Sequence, residues 1–219
     1  MINRLDKNNI SKTTKGLILL SALSVFFVLV RIIIKDESRF SFLIWNLFLA
    51  WIPFILVTIA KAVNNKLTKY AIMTIWILFY PNSPYIITDL LHLKNYSQNI
   101  LWYDSLTIFL TALTGLLIGL NSIYKAKKMC EHYLNKLMIW ILLISCNILT
   151  GFGIYLGRYC RLNSWDMFNR PIWFVGRVLH QFENPLAFKL TITFATALTG
   201  VYYIFENFFL HEDENISRK

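Results

Sequence analysis

Apolar side chains fall in six long blocks along this chain, at 16–34, 40–60, 70–91, 101–124, 134–157 and 185–209, and the short stretches between them carry most of the charge. Each block is close to the ~20 residues that take a helix across a ~30 Å hydrocarbon layer. None alternates with period two, so a closed β-barrel is excluded, and lipid leaves an unpaired backbone group no water to bond, which makes each block a helix. The pattern predicts an all-α, polytopic transmembrane bundle of about six spans in a single domain covering 1–219. The first block follows Arg4, Lys7, Lys12 and Lys15, as a secretory signal would. Its length, and the lack of a small-residue cleavage site before Arg31, predict a retained helix instead.

The third block contains Tyr80-Pro81-Asn82-Ser83-Pro84-Tyr85. Each proline removes a backbone donor and crowds the preceding turn, so this helix is expected to kink or break near the middle of the bilayer. Such a break is tolerated where protein or a watery cavity satisfies the freed carbonyls; discontinuous helices of that kind form transporter sites. The simpler reading is a kink patched by Asn82 and Ser83. Between the fifth and sixth blocks, Phe168, Ile172, Val175, Leu179 and Phe182 recur every three or four residues, as in a short helix lying in the membrane interface.

Composition agrees with lipid as the main solvent: 56% of the 219 residues are hydrophobic and only 16% are charged. The net charge of +10 would raise nucleic acid in a soluble protein. Here the basic residues flank the apolar blocks and no zinc-ligand spacing or RNA-binding aromatic signature accompanies them, so membrane lipids are the expected partner and nucleic acid is not. Lys and Arg number 13 on the side of the two termini and nine on the other, with four of the nine in the long segment before the last block and a fifth, Lys189, in that block's first turns. Both termini are therefore expected in the cytoplasm, in a cell membrane crossed several times. Cys130, Cys146 and Cys160 form no C-x-x-C pair and read as small apolar fillers.

Polar residues gather on the side away from the termini. Asp89 and His92 lie three apart, Asp104 follows Trp102-Tyr103 at the start of the fourth block, and Arg158, Arg161, Asn163 and Asp166 follow the fifth. With Asn82 and Tyr85 they outline a polar pocket bounded by helices three, four and five. Gly115/Gly119 and Gly153/Gly157 place small residues four apart, which lets helices approach closely, and Asn46, Asn121 and Asn147 are candidate interhelical hydrogen bonds. The segments FLIWNLFLAWIP ending at Pro53, LFYPNSPYIITDLLHL from Leu78, WYD at Trp102 and GFGIYLGRYCRLNSWD from Gly151 together resemble the bacterial integral membrane family known as domain of unknown function 1361. The resemblance implies a membrane-embedded protein and carries no activity with it.

Three functional readings remain open on the sequence. In an enzyme acting on a lipid headgroup or envelope precursor, Arg158 and Arg161 would hold a phosphate while Asp89 or Asp104 acted as base with His92 as its partner, or, in a metal-assisted version, Asp89, His92, Asp104 and Asp166 served together; Asn82, Tyr85 and Asn163 would bind the headgroup. One His with scattered Asp names no metal, and no cofactor is indicated. A small-solute transporter would use the broken third helix, with a homo-oligomer supplying a second half. A scaffold or accessory subunit would use the polar motifs to dock a partner membrane protein.

Overall fold

The computed structural model describes residues 11–35, 40–95, 100–131 and 133–207, and all regular structure among them is helical. Arg4, Lys7, Arg39, the acidic run 211–214 and the last residues of the sixth block lie outside the described residues. The elements are α1 (Lys12–Lys35), α2 (Ser41–Ala62), α3 (Lys66–Phe79), α4 (Asn82–Tyr85), a 3-10 helix over Ile86–Asn95, α5 (Leu101–Cys130), α6 (Lys136–Tyr159), α7 (Asp166–Asn169), α8 (Pro171–Leu179), a short 3-10 turn over His180–Glu183, and α9 (Pro185–Phe205). Among them α1, α2, α5, α6 and α9 are long and apolar enough to cross a membrane. Helix starts follow local chemistry. Asn65, Asn135 and Asn184 accept from backbone N–H groups in the first turns of α3, α6 and α9, which satisfies donors a helix leaves unpaired, and Pro185 opens α9 where its missing N–H costs nothing.

The expected third helix is α3, α4 and the Ile86–Asn95 segment in succession. The backbone keeps right-handed helical angles at Tyr80, Pro81 and Ile86 but narrows from α to 3-10 as it passes the prolines. The carbonyls displaced by this change find side-chain donors. Asn82 Nδ2 reaches the Phe79 oxygen at 3.0 Å, and Ser164 Oγ reaches the Leu78 oxygen at 3.1 Å. Ser83 Oγ donates to the Ala50 carbonyl of α2 at 2.8 Å, so the turn is bonded to α2 and to the chain beyond α6.

Both glycine pairs face this turn. A Cβ on Gly119 would stand 2.9 Å from Ser83 Cβ, and one on Gly115 would stand 2.9 Å from the Ser83 carbonyl oxygen. On the other side, Cβ atoms at Gly153 and Gly157 would stand 2.9 Å from Pro81 Cγ and 3.0 Å from Tyr85 Cε2. Residues 81–86 are thus wedged between a glycine face of α5 and a glycine face of α6. Elsewhere α5 is the most buried of the long helices, with α1, α2 and the 3-10 segment around it, while α6 packs chiefly on α9. Asn147 of α6 donates to Thr199 of α9 at 2.9 Å; Asn121, by contrast, bonds the Leu117 carbonyl of its own helix.

The α6–α9 contact is set by Gly151, where an added Cβ would meet the Thr191 carbonyl oxygen at 2.5 Å. Backbone cannot rotate away as a side chain can. Gly151→Val is expected to destabilise the purified protein by about 1–3 kcal/mol, whereas Gly200→Ala, with open space around it, is expected to change stability by less than about 0.5 kcal/mol. Chemical denaturation in one detergent checks both; equal stability of the two variants would refute the close approach.

Candidate functional site

The 3-10 geometry of residues 86–95 stacks side chains three apart directly over one another, which puts Asp89 and His92 on one line facing the end of α6. Asp89 is 1% exposed, and each of its oxygens has a partner: Asn46 Nδ2 of α2 donates to Oδ2 at 2.8 Å, and Arg158 of α6 donates to Oδ1 at 3.3 Å. Arg158 also reaches the Thr88 carbonyl at 2.8 Å and His92 Nε2 at 3.0 Å. A guanidinium can only donate, so Nε2 is the unprotonated ring nitrogen and the imidazole in this arrangement is neutral. Its Nε2 stands 3.9 Å from Asp89 Oδ1, and its ring lies 5.0 Å from that of Phe42. Three elements distant in sequence therefore meet in one charge-compensated cluster.

Beside this cluster lies a cavity of about 440 Å³ between α2, the α3–α4 turn, α6 and α8. Its walls are apolar and aromatic where Leu149, Phe152, Leu156, Phe174 and Phe182 line it. Its polar groups are all neutral: Asn46, Asn82, Asn163, Ser164 and the phenol of Tyr85, with Trp45 and Trp165 making an edge-on pair 6.2 Å apart. Asn46 is shared, lining the cavity and holding Asp89.

The sequence-derived candidates thus separate. Asp89, His92 and Arg158 come together; Asn82, Tyr85 and Asn163 line the adjoining cavity. Asp104 has a different partner. It is fully buried against Arg31 of α1, whose Nε lies 2.5 Å from Oδ1 and whose second nitrogen lies 3.2 Å from Oδ2. The Arg31 guanidinium also sits 4.7 Å over the Phe40 ring, and the neighbouring Tyr103 hydroxyl bonds the Phe27 carbonyl at 3.0 Å. Tyr103 and Asp104 of the motif therefore fasten α1 to α5, while Trp102 is exposed. Asp166 accepts from the Asn163 backbone N–H at 2.7 Å and closes the loop after α6. Arg161 is exposed and takes a left-handed φ of 55° just past the helix end, letting Leu162 N–H reach the Leu156 carbonyl at 3.1 Å. Sequence reasoning counted Arg31 only as a flanking charge and Asn46 only as an interhelical bond. The signal for Arg31 was its place inside the end of an apolar block, where an arginine that does not snorkel to the interface needs a carboxylate or carbonyl partner. Among the described residues no three His, Cys, Asp or Glu side chains group as metal ligands would.

The chain belongs to the family described as "Protein of unknown function (DUF1361)", whose profile matches residues 45–201. No curated protein and no solved structure matches it.

The two ion pairs share no residue, so their losses should be independent. Asp104→Asn is expected to cost about 3–5 kcal/mol, because it breaks an ion pair buried on both sides, and Asp89→Asn about 1–3 kcal/mol, because Arg158 is only half-buried and keeps its bond to the Thr88 carbonyl. The double variant should equal the sum within about 0.5 kcal/mol. Denaturation of the two single variants and the double variant measures this, and a coupling well above that value would show one network instead of two.

Proposed function

We propose that this protein is a six-span bacterial cell-membrane protein, termini in the cytoplasm, whose outward-facing cavity binds the polar end of an amphipathic molecule, a lipid or a cell-envelope precursor. In this reading α3, α4 and the Ile86–Asn95 helix form one composite span: 14 residues at ~1.5 Å and ten at ~2.0 Å, with the turn between them, supply the length. Lys61, Lys69, Lys125 and Lys128 lie at the end of the bundle opposite Asp89, as cytoplasmic lysines would. The observation that carries the proposal is the cavity itself. Its apolar walls suit an acyl or prenyl chain, and its five amide and hydroxyl side chains suit a headgroup, the combination by which small-molecule sites both hold and orient a ligand. The exposed apolar residues of α8, such as Ile172 and Val175, support an interfacial position for that helix, where such a ligand would enter.

Holding the ligand is better supported than turning it over. Both Asp89 oxygens and both terminal nitrogens of Arg158 are engaged within the protein, so neither offers an idle acid, base or phosphate clamp. A catalytic role draws its support from His92, 38% exposed and beside the buried carboxylate; it requires Arg158 to swing off the ring and leave Nε2 open.

Native mass spectrometry of the protein purified from its own membranes tests the proposal. The wild type should retain an amphipathic molecule, and Leu149→Trp, which fills the cavity from α6, should lose it at unchanged thermal stability. Retention of the same lipids in the same amounts by both proteins would end the proposal. Occupancy that rises in Asp89→Asn would assign turnover to the cluster; unchanged identity with lower occupancy would assign binding alone.

A further inference from the structure

We infer that the far end of the bundle holds a second site, a binding site for a phosphate-bearing anion. A cavity of about 650 Å³ opens there between the start of α1, the ends of α2 and α5 and the start of α3, and its lining includes Lys61, Lys69, Lys125 and Lys128 but one carboxylate, Glu131. That carboxylate is taken: Glu131 pairs with Lys128 at 3.0 Å and with Lys127 at 3.7 Å, and Lys127 also pairs with Glu206. Among the described residues, Lys61, Lys69 and Lys125 have no carboxylate within ion-pair distance. Lys61 and Lys125 are near enough for their like charges to act on one another.

Three ammonium groups from three helices, turned into one concavity, raise the local potential and concentrate a counter-anion. Lys125 is held in place for it, its Nζ donating to Thr58 Oγ1 at 3.0 Å and resting 3.7 Å from the centre of the Phe54 ring. The lining also carries the hydroxyls of Ser11, Thr13 and Thr14 at the N-terminus of α1, where the helix dipole favours negative charge. Lysines act as point charges toward the several oxygens of a phosphate, and hydroxyls donate to the remaining ones. The volume falls in the range of sites that enclose a small ligand or headgroup. Phosphate as an ion and the phosphate of an anionic lipid present the same chemistry to these side chains.

The test uses the full-length protein in nanodiscs. Inorganic phosphate is titrated calorimetrically in phosphatidylcholine discs, and retention of phosphatidylglycerol is read by native mass spectrometry from mixed discs. The wild type should bind at least one of the two. Lys61→Gln/Lys125→Gln should weaken that binding about tenfold or more, the loss expected for removing two near-surface charges. Lys61→Arg/Lys125→Arg should retain it, and Lys66→Gln, outside the cavity, should leave it unchanged. Phosphatidylglycerol retention without phosphate binding identifies a lipid site, and phosphate binding without lipid preference identifies a soluble ligand; either supports the inference. Binding of neither by the wild type, or equal loss in Lys66→Gln, overturns it. So does a fall in thermal stability shared by the lysine pair and by Glu212→Gln/Asp213→Asn/Glu214→Gln without ligand binding, which would give the cavity to the chain's own acidic run.

Discussion

Everything near the candidate site hangs on how residues 81–86 are held. Pro81 and Pro84, three positions apart, take two N–H donors out of a helical segment packed among apolar neighbours, and an unpaired buried carbonyl there costs several kcal/mol, on the order of a lost buried hydrogen bond. The protein meets this with closeness. Four glycines on α5 and α6 let the turn pack against bare backbone, and Asn82, Ser83 and Ser164 place their polar atoms within hydrogen-bond reach of the Phe79, Ala50 and Leu78 carbonyls. Once the turn is clamped on both sides, the 3-10 segment that follows has one direction to take. That direction brings Asp89 beneath Asn46 and His92 beneath Arg158, and it leaves the cavity between α2 and α6 open where the turn curves away.

Five of the long apolar helices and the change of helix type at Pro81–Pro84 were legible because each is written in consecutive residues: block length, the two prolines, and the three-residue spacing of Asp89 and His92. The short helix after α6 was legible in the same way, with α8 forming over Pro171–Leu179. Partnerships between helices were not. Periodicity says which residues share a face; it does not say which neighbour that face meets. Asn121 and Asn147 look alike in sequence, yet one bonds its own helix and the other bonds α9. Gly115/Gly119 and Gly153/Gly157 announced close packing, but nothing in their spacing named the proline turn as what both would touch. Asp104 looked like a companion of Asp89 because both fall near one end of the bundle. Its partner lies 73 positions away on α1, and only the placement of α1 beside α5 makes that pair.

The two ends of the bundle handle charge in opposite ways. At the Asp89 end, Arg31 and Arg158 are each matched to a buried carboxylate, and the remaining polar lining of the cavity is neutral. That end can accept an uncharged headgroup without disturbing its ion pairs, whereas a charged one would have to compete with Asp89 for Arg158. At the other end, among the described residues, lysines outnumber carboxylates in the lining of the second cavity. A chain with both features is suited to contact different chemistry at the two ends of its helix bundle.

Buried ion pairs are a poor source of net stability, since taking two charges out of water cancels most of what their attraction returns. Their value here is selective. Arg31–Asp104 can form only if α1 lies against α5 in one register, and Asp89–Arg158 only if the 3-10 segment meets the end of α6. Apolar faces of lipid-surrounded helices discriminate weakly among neighbours, because lipid tails are as apolar as the side chains they replace. Any other assembly of these helices would leave an arginine or an aspartate unmatched in hydrocarbon. The two pairs therefore exclude wrong arrangements more than they strengthen the right one, and the glycine clamp, which rejects anything larger than a hydrogen, supplies the same discrimination by shape.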